Sequence, residues 1–181
     1  MKIELVKVVS GFQTGVDIAA VAAAKETGFE TGGFIPKGFR TLTGSKPEYA
    51  SLYGAKEHSS YSYKERTWDN VYSSDATLRI AEDYKSAGER CTINALINFA
   101  KPHLDLEVRH CPINDCDRII RYAQLKYEGD TLLYVRDWLA TYGVRTLNVA
   151  GNAEETSPGI YDVAYDFLTK LFKSIKDKDE I

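Results

Sequence analysis

The sequence predicts a three-layer α/β fold, in which a mainly parallel sheet carries helices on both faces. Apolar runs of strand length alternate with segments of helical character along the chain, and this alternation is typical of parallel sheets. The first run, from Ile3 to Val9, is almost continuously apolar, as expected for a strand that is covered on both faces. Since 44% of the 181 residues are hydrophobic, the chain can bury one substantial core.

The first helix is predicted over residues 16–25, which are rich in alanine. Thr14 and Asp17 have the spacing of a capping box, in which two side chains satisfy free amides at the start of a helix. The small side chains allow this helix to lie close against the sheet.

Gly and Pro residues punctuate the chain after Phe29, where a short strand is predicted to give way to a long loop. Ser62 and Glu65 form a second capping box and predict a helix as far as about Tyr72. The run "ATLRIA", residues 76–81, then predicts a strand.

Four more elements complete the predicted sheet and its helices. We expect a helix over residues 92–100, an outer strand over residues 104–110, one or two helices over residues 115–142 with a break near Gly129, and a last strand over residues 145–151.

The chain is predicted to form a single domain over residues 1–175. Its closing helix is expected to begin with Ser157 as N-cap and Pro158 as the first helical residue. Residues 176–181, "KDKDEI", are expected to be a frayed, solvated tail.

Composition narrows the class of function. The net charge of −3 argues against a duplex nucleic-acid binder, which usually presents a basic face. No apolar run approaches the length of a membrane span and no signal peptide is visible, so we expect a cytoplasmic protein without membrane association. The three cysteines lack paired metal-ligand spacing, and Cys111 and Cys116 are expected to be buried thiols. The scattered histidines indicate no metal site.

Three polar turns follow the predicted strands, at residues 10–15, 82–92 and 151–159. Right-handed crossovers place the strand-to-helix turns of a parallel sheet along one edge, so these turns should approach one another. A crevice at the carboxyl ends of parallel strands is where such folds bind ligands. The sequence therefore predicts a ligand site at this edge.

Four motifs strengthen this interpretation: "SGFQTGVD", "TGGFIPKGFR", "YKERTWDNVYSSDATLRI" and "LNVAGNAEETSPGIY". In this order they resemble the molybdenum-cofactor-carrier family, which belongs to the SLOG superfamily of Rossmann-like nucleotide- and ligand-binding proteins. The resemblance runs from about Val8 to Tyr161. It implies a Rossmann-like three-layer sandwich, often oligomeric as a dimer or tetramer, with its ligand held over the strand ends.

The chain departs from the family pattern at ligand-facing positions. Phe12 stands where the family usually has a second glycine, and Ile18 where it has an arginine. The family's Gly-Thr pattern after the middle strand is here "SAGERCTINA", and its "GPR" near the end is here "GNA". These differences imply a changed ligand.

The first polar turn has the composition of a phosphate-binding loop. Its candidate ligand-binding residues are Ser10, Gly11, Phe12, Gln13, Thr14 and Gly15. In this hypothesis, backbone amides at the helix start hold a phosphate with help from the two hydroxyls, and Phe12 stacks on a base or closes the pocket. The alternative is a capped turn that satisfies only its own helix.

Cationic and amide side chains offer further contacts. Lys37 lies on a loop that is expected to cover the crevice, unless it is simply a solvated cation. Arg66 and Asn70 share one helix face at i, i+4 spacing and would present a cation and an amide to a ligand or a neighbouring subunit. Asp75 is a candidate for contact with a sugar hydroxyl, with a turn-stabilising role as the alternative.

Two later turns complete the candidate set. Thr92, in the middle turn, is a candidate to line the site, and its alternative role is that of an N-cap. Glu89 and Arg90 in the same turn either line the site or form a solvated charge pair. After the last strand the candidates are Gly151, Asn152, Ser157 and Gly159. We interpret them as a second phosphate- or sugar-facing loop, because helix initiation alone does not explain a Gly-Asn pair directly after an apolar strand.

These observations predict a protein that binds a phosphate-bearing, nucleotide-derived small molecule, such as a nucleotide or an ADP-ribose-type signal, and carries or sequesters it without turnover. The resemblance adds a molybdenum cofactor carrier as an alternative. A third possibility is a protein-interaction module with a vestigial pocket.

Hydrolysis of a nucleotide N-glycosidic bond is the enzymatic alternative, as in the phosphoribohydrolase branch of the superfamily. That branch has a catalytic glutamate in the pattern PGGxGTxxE, and no glutamate follows Thr92 at that spacing. Asp17, Glu65 and Asp75 are available carboxylates, but each has a sufficient structural explanation. The sequence therefore favours binding without catalysis.

Overall fold

The computed structural model describes residues 2–110, 118–124 and 128–177. In chain order its elements are β1 (Lys7–Val9), α1 (Val16–Glu26), β2 (Glu30–Ile35), β3 (Arg40–Thr41), β4 (Gly44–Ser45), α2 (Tyr49–Tyr53), β5 (Ala55–Glu57), α3 (Tyr63–Tyr72), β6 (Ala76–Ala81), α4 (Ala87–Phe99), β7 (His103–His110), β8 (Arg118–Arg121), α5 (Glu128–Thr141), β9 (Thr146–Gly151) and α6 (Ile160–Lys176).

Seven of these strands form one sheet, in the order β5-β2-β1-β9-β6-β7-β8. All neighbouring pairs are parallel except β7 and β8, which pair antiparallel at one edge. Helices α1, α5 and α6 pack together on one face, and α3 packs against α4 on the other. The predicted fold class, a Rossmann-like sandwich with a mainly parallel sheet, is confirmed.

The apolar core lies mainly between the sheet and the α1, α5 and α6 layer. All six residues of β6 are buried, Arg79 among them, as expected for a central strand with helices on both sides. The alanines of α1 let this helix contact α6 closely, while Phe167 and Phe172 of α6 fill the space against the sheet. A smaller cluster of Val71, Ala95 and Leu96 joins α3 to α4 on the other face.

Neither predicted capping box forms. The Thr14 hydroxyl donates to Glu155, and Asp17 is buried, so α1 starts after Gly15 without a side-chain cap. A Cβ on Gly15 would lie 2.4 Å from the carbonyl oxygen of Asn152, and this close approach requires glycine. Helix α3 does begin after Ser62, but again without a capping hydrogen bond from that side chain.

Three further boundaries differ from the predictions. Helix α4 begins at Ala87, five residues before the predicted start at Thr92, because the hydroxyl of Ser86 accepts a hydrogen bond from the Glu89 amide. The segment predicted as one or two helices contains β8 before α5, and Gly129 lies in the first turn of α5 rather than at a break. Gly159, and not Ser157, is the N-cap of α6.

The long loop after β2 contains more structure than its Gly and Pro content predicts. Strands β3 and β4 form a separate two-stranded hairpin, and β5 extends the main sheet beside β2. At the end of the chain, α6 continues to Lys176, within the predicted tail, and residues 178–181 lie outside the described residues. Cys111 and Cys116 also lie outside them.

Asp75 lies at the amino ends of the central strands, at the opposite end of the sheet from the predicted crevice. Its Oδ2 accepts hydrogen bonds from the amides of Arg145 at 3.0 Å and Thr146 at 2.7 Å, where β6 and β9 begin. The carboxylate therefore stabilises the entry of β9 into the sheet, and the turn-stabilising alternative describes its contacts.

We predict that Asp75→Ala lowers the free energy of unfolding by about 1–2 kcal/mol, because two backbone amides lose a charged acceptor. Chemical denaturation measures this change. Asp137→Ala, which removes an exposed carboxylate from α5, is the matched control and is expected to stay within about 0.5 kcal/mol of the parent chain. Equal effects of the two substitutions would contradict the assignment.

Candidate functional site

A cleft of about 520 Å³ opens at the carboxyl ends of β1, β6 and β9. Its walls are the turn after β1, the residues after β9, the first turns of α4 and one side of α3. The chain leaves β1 towards β2 on one side and leaves β6 towards β7 on the other, so the connections diverge here as at a topological switch point. The volume is in the range of small-molecule sites.

Arg66 occupies the floor of the cleft. Its Nη1 lies 3.5 Å from Asp17 Oδ2, and the two side chains are only 11% and 7% exposed. The guanidinium lies on the backbone of Gly11, since a Cβ there would be 1.3 Å from Nη1. Arg66 Nε is buried and has no hydrogen-bond partner among the described residues. Burial raises the pKa of Asp17, while Arg66 and the amide of Gln13 act in the opposite direction.

Asn70 fixes α3 to the strands beneath it. Its Oδ1 accepts a hydrogen bond from the Phe34 amide at 2.8 Å, and its Nδ2 donates to the carbonyl oxygens of Ser10 and Phe34, each at 3.1 Å. Gly33 makes this possible, because a Cβ at that position would lie 2.2 Å from the Ser10 carbonyl oxygen. Asn70 lines the cleft, but its amide is engaged in holding Arg66's helix in place.

Gly151 and Asn152 connect the ends of β9 and β6. The Asn152 Oδ1 accepts from the amides of Glu82 and Asp83 at 3.0 Å each, and its Nδ2 donates to the Asp83 carbonyl oxygen. A Cβ on Gly151 would lie 2.1 Å from the carbonyl oxygen of Ile80. The Gly-Asn pair therefore has a structural cause, and both residues also line the cleft.

Glu89 lines the cleft and is only 2% exposed, whereas Arg90 is exposed, so the two do not form a solvated pair. Glu89 Oε2 lies 3.4 Å from Arg79 Nη1, and the same guanidinium binds Asp105 through Nε, at 2.8 Å, and through Nη2. Burial raises the pKa of Glu89 to about 7, Arg79 opposes this rise, and Asp17 adds to it. The sequence did contain one signal: Arg79 interrupts an apolar strand and requires buried carboxylate partners.

Gln13 holds the β3–β4 hairpin at the mouth of the cleft. Its Oε1 accepts from the Leu42 amide at 3.1 Å, and its Nε2 donates to the Arg40 carbonyl oxygen at 3.2 Å. Leu42 lines the cleft although it is 54% exposed. Leu42 and Tyr63 are cleft residues that the sequence interpretation missed, because both lie beyond the predicted turns.

Besides Glu89, the structure brings together seven of the predicted site residues: Gly11, Gln13, Arg66, Asn70, Thr92, Gly151 and Asn152 all line the cleft. Thr92 lies one turn into α4, where its hydroxyl donates to the Gly88 carbonyl oxygen at 3.1 Å rather than capping the helix.

The other predicted residues do not line the cleft. In the first turn, Ser10 is buried and its Oγ accepts from the Phe12 amide at 3.3 Å, while Thr14 and Gly15 have the structural roles described above. Phe12 is fully buried against Tyr49 and does not stack on a ligand there. Its φ of 59° lies in the left-handed region, where glycine is favoured.

Lys37, Ser157 and Gly159 also lie outside the cleft lining. Lys37 is exposed, with its Nζ 5.3 Å from the Tyr61 ring centroid. The Ser157 hydroxyl donates to Glu82 and accepts from Arg118 Nη2 at 2.6 Å, which ties β8 to the loop after β9.

Residues 8–172 match the profile of the Circularly permutated YpsA SLOG family. The chain belongs to this family. The crystal structure of the "Putative molybdenum carrier protein" from Syntrophus aciditrophicus SB is similar to this SLOG protein, with a TM-score of 0.79 and 28% identity over 95% of this chain and 97% of that chain. No curated protein sequence matches. The resemblance inferred from the motifs is confirmed.

Two features are absent from the described residues of this SLOG protein. None of its described helices has the length and apolar character needed to cross a membrane. Within the same residues, no group of three or more His, Cys, Asp or Glu side chains is arranged to hold a metal ion.

We predict that Gly11→Ala displaces Arg66, because a Cβ would collide with its guanidinium, and that the pKa of Asp17 then rises further. Carboxyl ¹³C NMR titration measures this pKa, and denaturation should show a loss of about 1–3 kcal/mol of stability. Gly88→Ala is the control, since a Cβ there meets no atom within 4 Å. Unchanged titration of Asp17 in Gly11→Ala would refute the packing of Arg66 on this glycine.

Glu89 should make the SLOG protein less stable as pH rises towards 7. The pKa of Glu89 in the folded state, about 7, lies above its ordinary value. Between these two pH values the folded state therefore binds more protons than the unfolded state. Stability from this group is therefore present at low pH and is lost as pH rises through about 7. We predict that the Tm of Glu89→Gln minus that of the parent increases between about pH 5 and 8, whereas exposed Glu65→Gln shows no such trend. A constant difference would disprove the raised pKa.

Proposed function

We propose that this SLOG protein binds a phosphate-bearing, nucleotide-derived small molecule in the cleft, and carries or sequesters it without turnover. The observation that carries the proposal is Arg66, a largely buried cation on the cleft floor whose Nε lacks a partner in the described part of the chain. A buried donor without an acceptor favours a ligand that supplies one, and a phosphate oxygen is a strong acceptor for a guanidinium.

The start of α4 supports the same ligand chemistry. Ser86, Ala87 and Gly88 line the cleft at the first turn of this 13-residue helix. Backbone amides and the helix dipole at such a position attract anions. Lys64 adds a second cationic side chain to the lining.

The nucleotide part of the proposal rests on the apolar side of the cleft. Leu42 and Tyr63 line it near Arg66, with the Tyr63 ring centroid 5.9 Å from the guanidinium carbon. An aromatic ring and an exposed leucine offer a surface for a flat heterocycle, such as a nucleobase or a pterin.

Carriage of a molybdenum cofactor is a form of the same proposal. The similar protein from Syntrophus aciditrophicus is named a putative molybdenum carrier. The resemblance of the motifs implies the molybdenum cofactor, a phosphate-bearing organic ligand, as the molecule that would be carried. Arg66 and the start of α4 would hold its phosphate as they would hold that of a nucleotide.

Hydrolysis of an N-glycosidic bond is the second candidate, and Glu89 is the observation that favours it. A carboxyl group with a pKa of about 7 in a ligand-sized cleft is suited to proton transfer near neutral pH. Of the three carboxylates considered from the sequence, Asp17 forms an ion pair with Arg66. Neither Glu65 nor Asp75 lines the cleft. Formation of free base and ribose phosphate from a nucleotide, lost in Glu89→Gln, would establish this activity.

Native mass spectrometry of the purified protein, followed by denaturation and identification of released molecules, tests the proposal first. We expect a nucleotide, an ADP-ribose-type compound or a pterin phosphate at stoichiometric level. In titrations with the identified compound, Arg66→Ala should bind at least about tenfold more weakly, because a charged hydrogen bond is lost.

Two comparisons sharpen this test. Arg66→Lys retains the charge and is expected to recover only part of the affinity, since the guanidinium geometry is lost. Lys37→Ala removes an exposed cation outside the cleft lining and should bind as the parent does. Equal affinity of Arg66→Ala and the parent, or failure of every phosphate-bearing compound to bind, would refute the proposal.

A further inference from the structure

The charges around Glu89 do not balance. Arg79 is the cation in contact with Glu89, and the same guanidinium also binds Asp105. Arg66 faces the neighbouring carboxylate, Asp17. With both carboxylates ionised, the cluster of Arg79, Glu89 and Asp105 carries one net negative charge, on the wall of the cleft that an anionic ligand would enter.

Helix α3, which packs against α4, places the cations Arg66 and Lys64 in the lining of the same cleft. The charged groups that act most strongly on Glu89 lie on other elements. They are Arg79 on β6, Asp83 on the loop that follows β6, Asp105 on β7 and Asp17 on α1. Arg79 alone among these is a cation, and its planar group is fixed by Asp105 and lies over the Tyr84 ring at 4.8 Å. Arg79 therefore has little freedom to turn wholly towards Glu89.

We propose that an anionic ligand binds in this cleft together with one proton, which Glu89 takes up. This inference rests on the proposed function, because it assigns the regulation of the same site. Glu89 is a specificity-determining residue in this scheme: its charge opposes the ligand's phosphate, and its protonated form no longer does.

The physical reason is the repulsion between two anions in a poorly hydrated site. Glu89 is 2% exposed, so water screens its charge weakly. An incoming phosphate close to the start of α4 disfavours the charged form of Glu89, as a second carboxylate would. Protonation removes the repulsion and gives Glu89 an O–H that can donate to a ligand oxygen. Because burial already raises the pKa of Glu89 to about 7, uptake of this proton near neutral pH needs little further perturbation.

The expected pH dependence follows directly. Above the pKa of free Glu89, each unit of pH lowers the fraction of the protonated form about tenfold, and the affinity for an anion falls by up to the same factor. Below about pH 6 the affinity should level off. A ligand without phosphate should show no such slope.

ADP-ribose is a suitable probe, because its phosphate groups keep a constant charge through neutral pH, and adenosine is the uncharged counterpart. Isothermal titration calorimetry of the full chain, in two buffers of different ionisation enthalpy at about pH 7.5, counts the protons taken up on binding. Affinities measured from about pH 6 to 8.5 give the slope. Glu89→Gln is the test variant, and Glu65→Gln, an exposed glutamate on α3, is the matched control.

We expect the parent and Glu65→Gln to take up between half and one proton with ADP-ribose, and Glu89→Gln to take up none. At about pH 8.5 Glu89→Gln should bind ADP-ribose at least tenfold more tightly than the parent, a direction that simple damage to the site would not produce. Circular dichroism and Tm confirm that the variant is folded.

Two failures are distinguishable. Binding of ADP-ribose without proton uptake, or with the same pH slope in Glu89→Gln as in the parent, overturns the role of Glu89 and leaves the proposed function standing. Absence of binding by ADP-ribose and by every other phosphate-bearing compound, in the parent and in Glu89→Gln at all pH values, overturns the proposed function and this inference with it.

Discussion

Arg66 can lie on the floor of the cleft only because residue 11 has no side chain. A Cβ on Gly11 would occupy the position of its guanidinium, and the same constraint recurs at Gly33 and Gly151, where a Cβ would meet a carbonyl oxygen of a neighbouring strand or turn. These close approaches let α3 pack on the strand ends and let the end of β9 contact the end of β6. The cleft therefore depends on three glycines: main chains approach closely at Gly33 and Gly151, and the Arg66 side chain lies on Gly11.

The electrostatic character of the site follows from which charges the fold buries. Asp17 and Arg66 neutralise each other, while Arg79 is shared between Glu89 and Asp105. Buried ion pairs contribute little net stability, because desolvation offsets most of the attraction. An arrangement that leaves one carboxylate undercompensated beside a cleft is better explained by ligand binding than by stability.

The relation to the Syntrophus aciditrophicus protein shows that the fold tolerates extensive change of sequence. At 28% identity the backbone is retained over nearly the whole chain. Phe12 departs from the family pattern outside the cleft lining: it is fully buried and adopts a left-handed conformation where the resemblance implies a glycine. The fold therefore accommodates a bulky core residue at this turn.

The sequence by itself determined the α/β class, the positions of the central strands and membership of the family, because apolar runs and ordered motifs are local patterns. Tertiary structure alone decided that Glu89 is buried and that Asp75 lies at the amino ends of the central strands, away from the cleft. Glu89 pairs with a residue ten positions away and Asp75 with amides 70 and 71 positions away, so no local pattern identifies these pairs. Arg79 within an apolar strand signals only that some carboxylate pairs with it. Burial of a charge depends on which distant elements cover it, and the chain must fold before those elements meet.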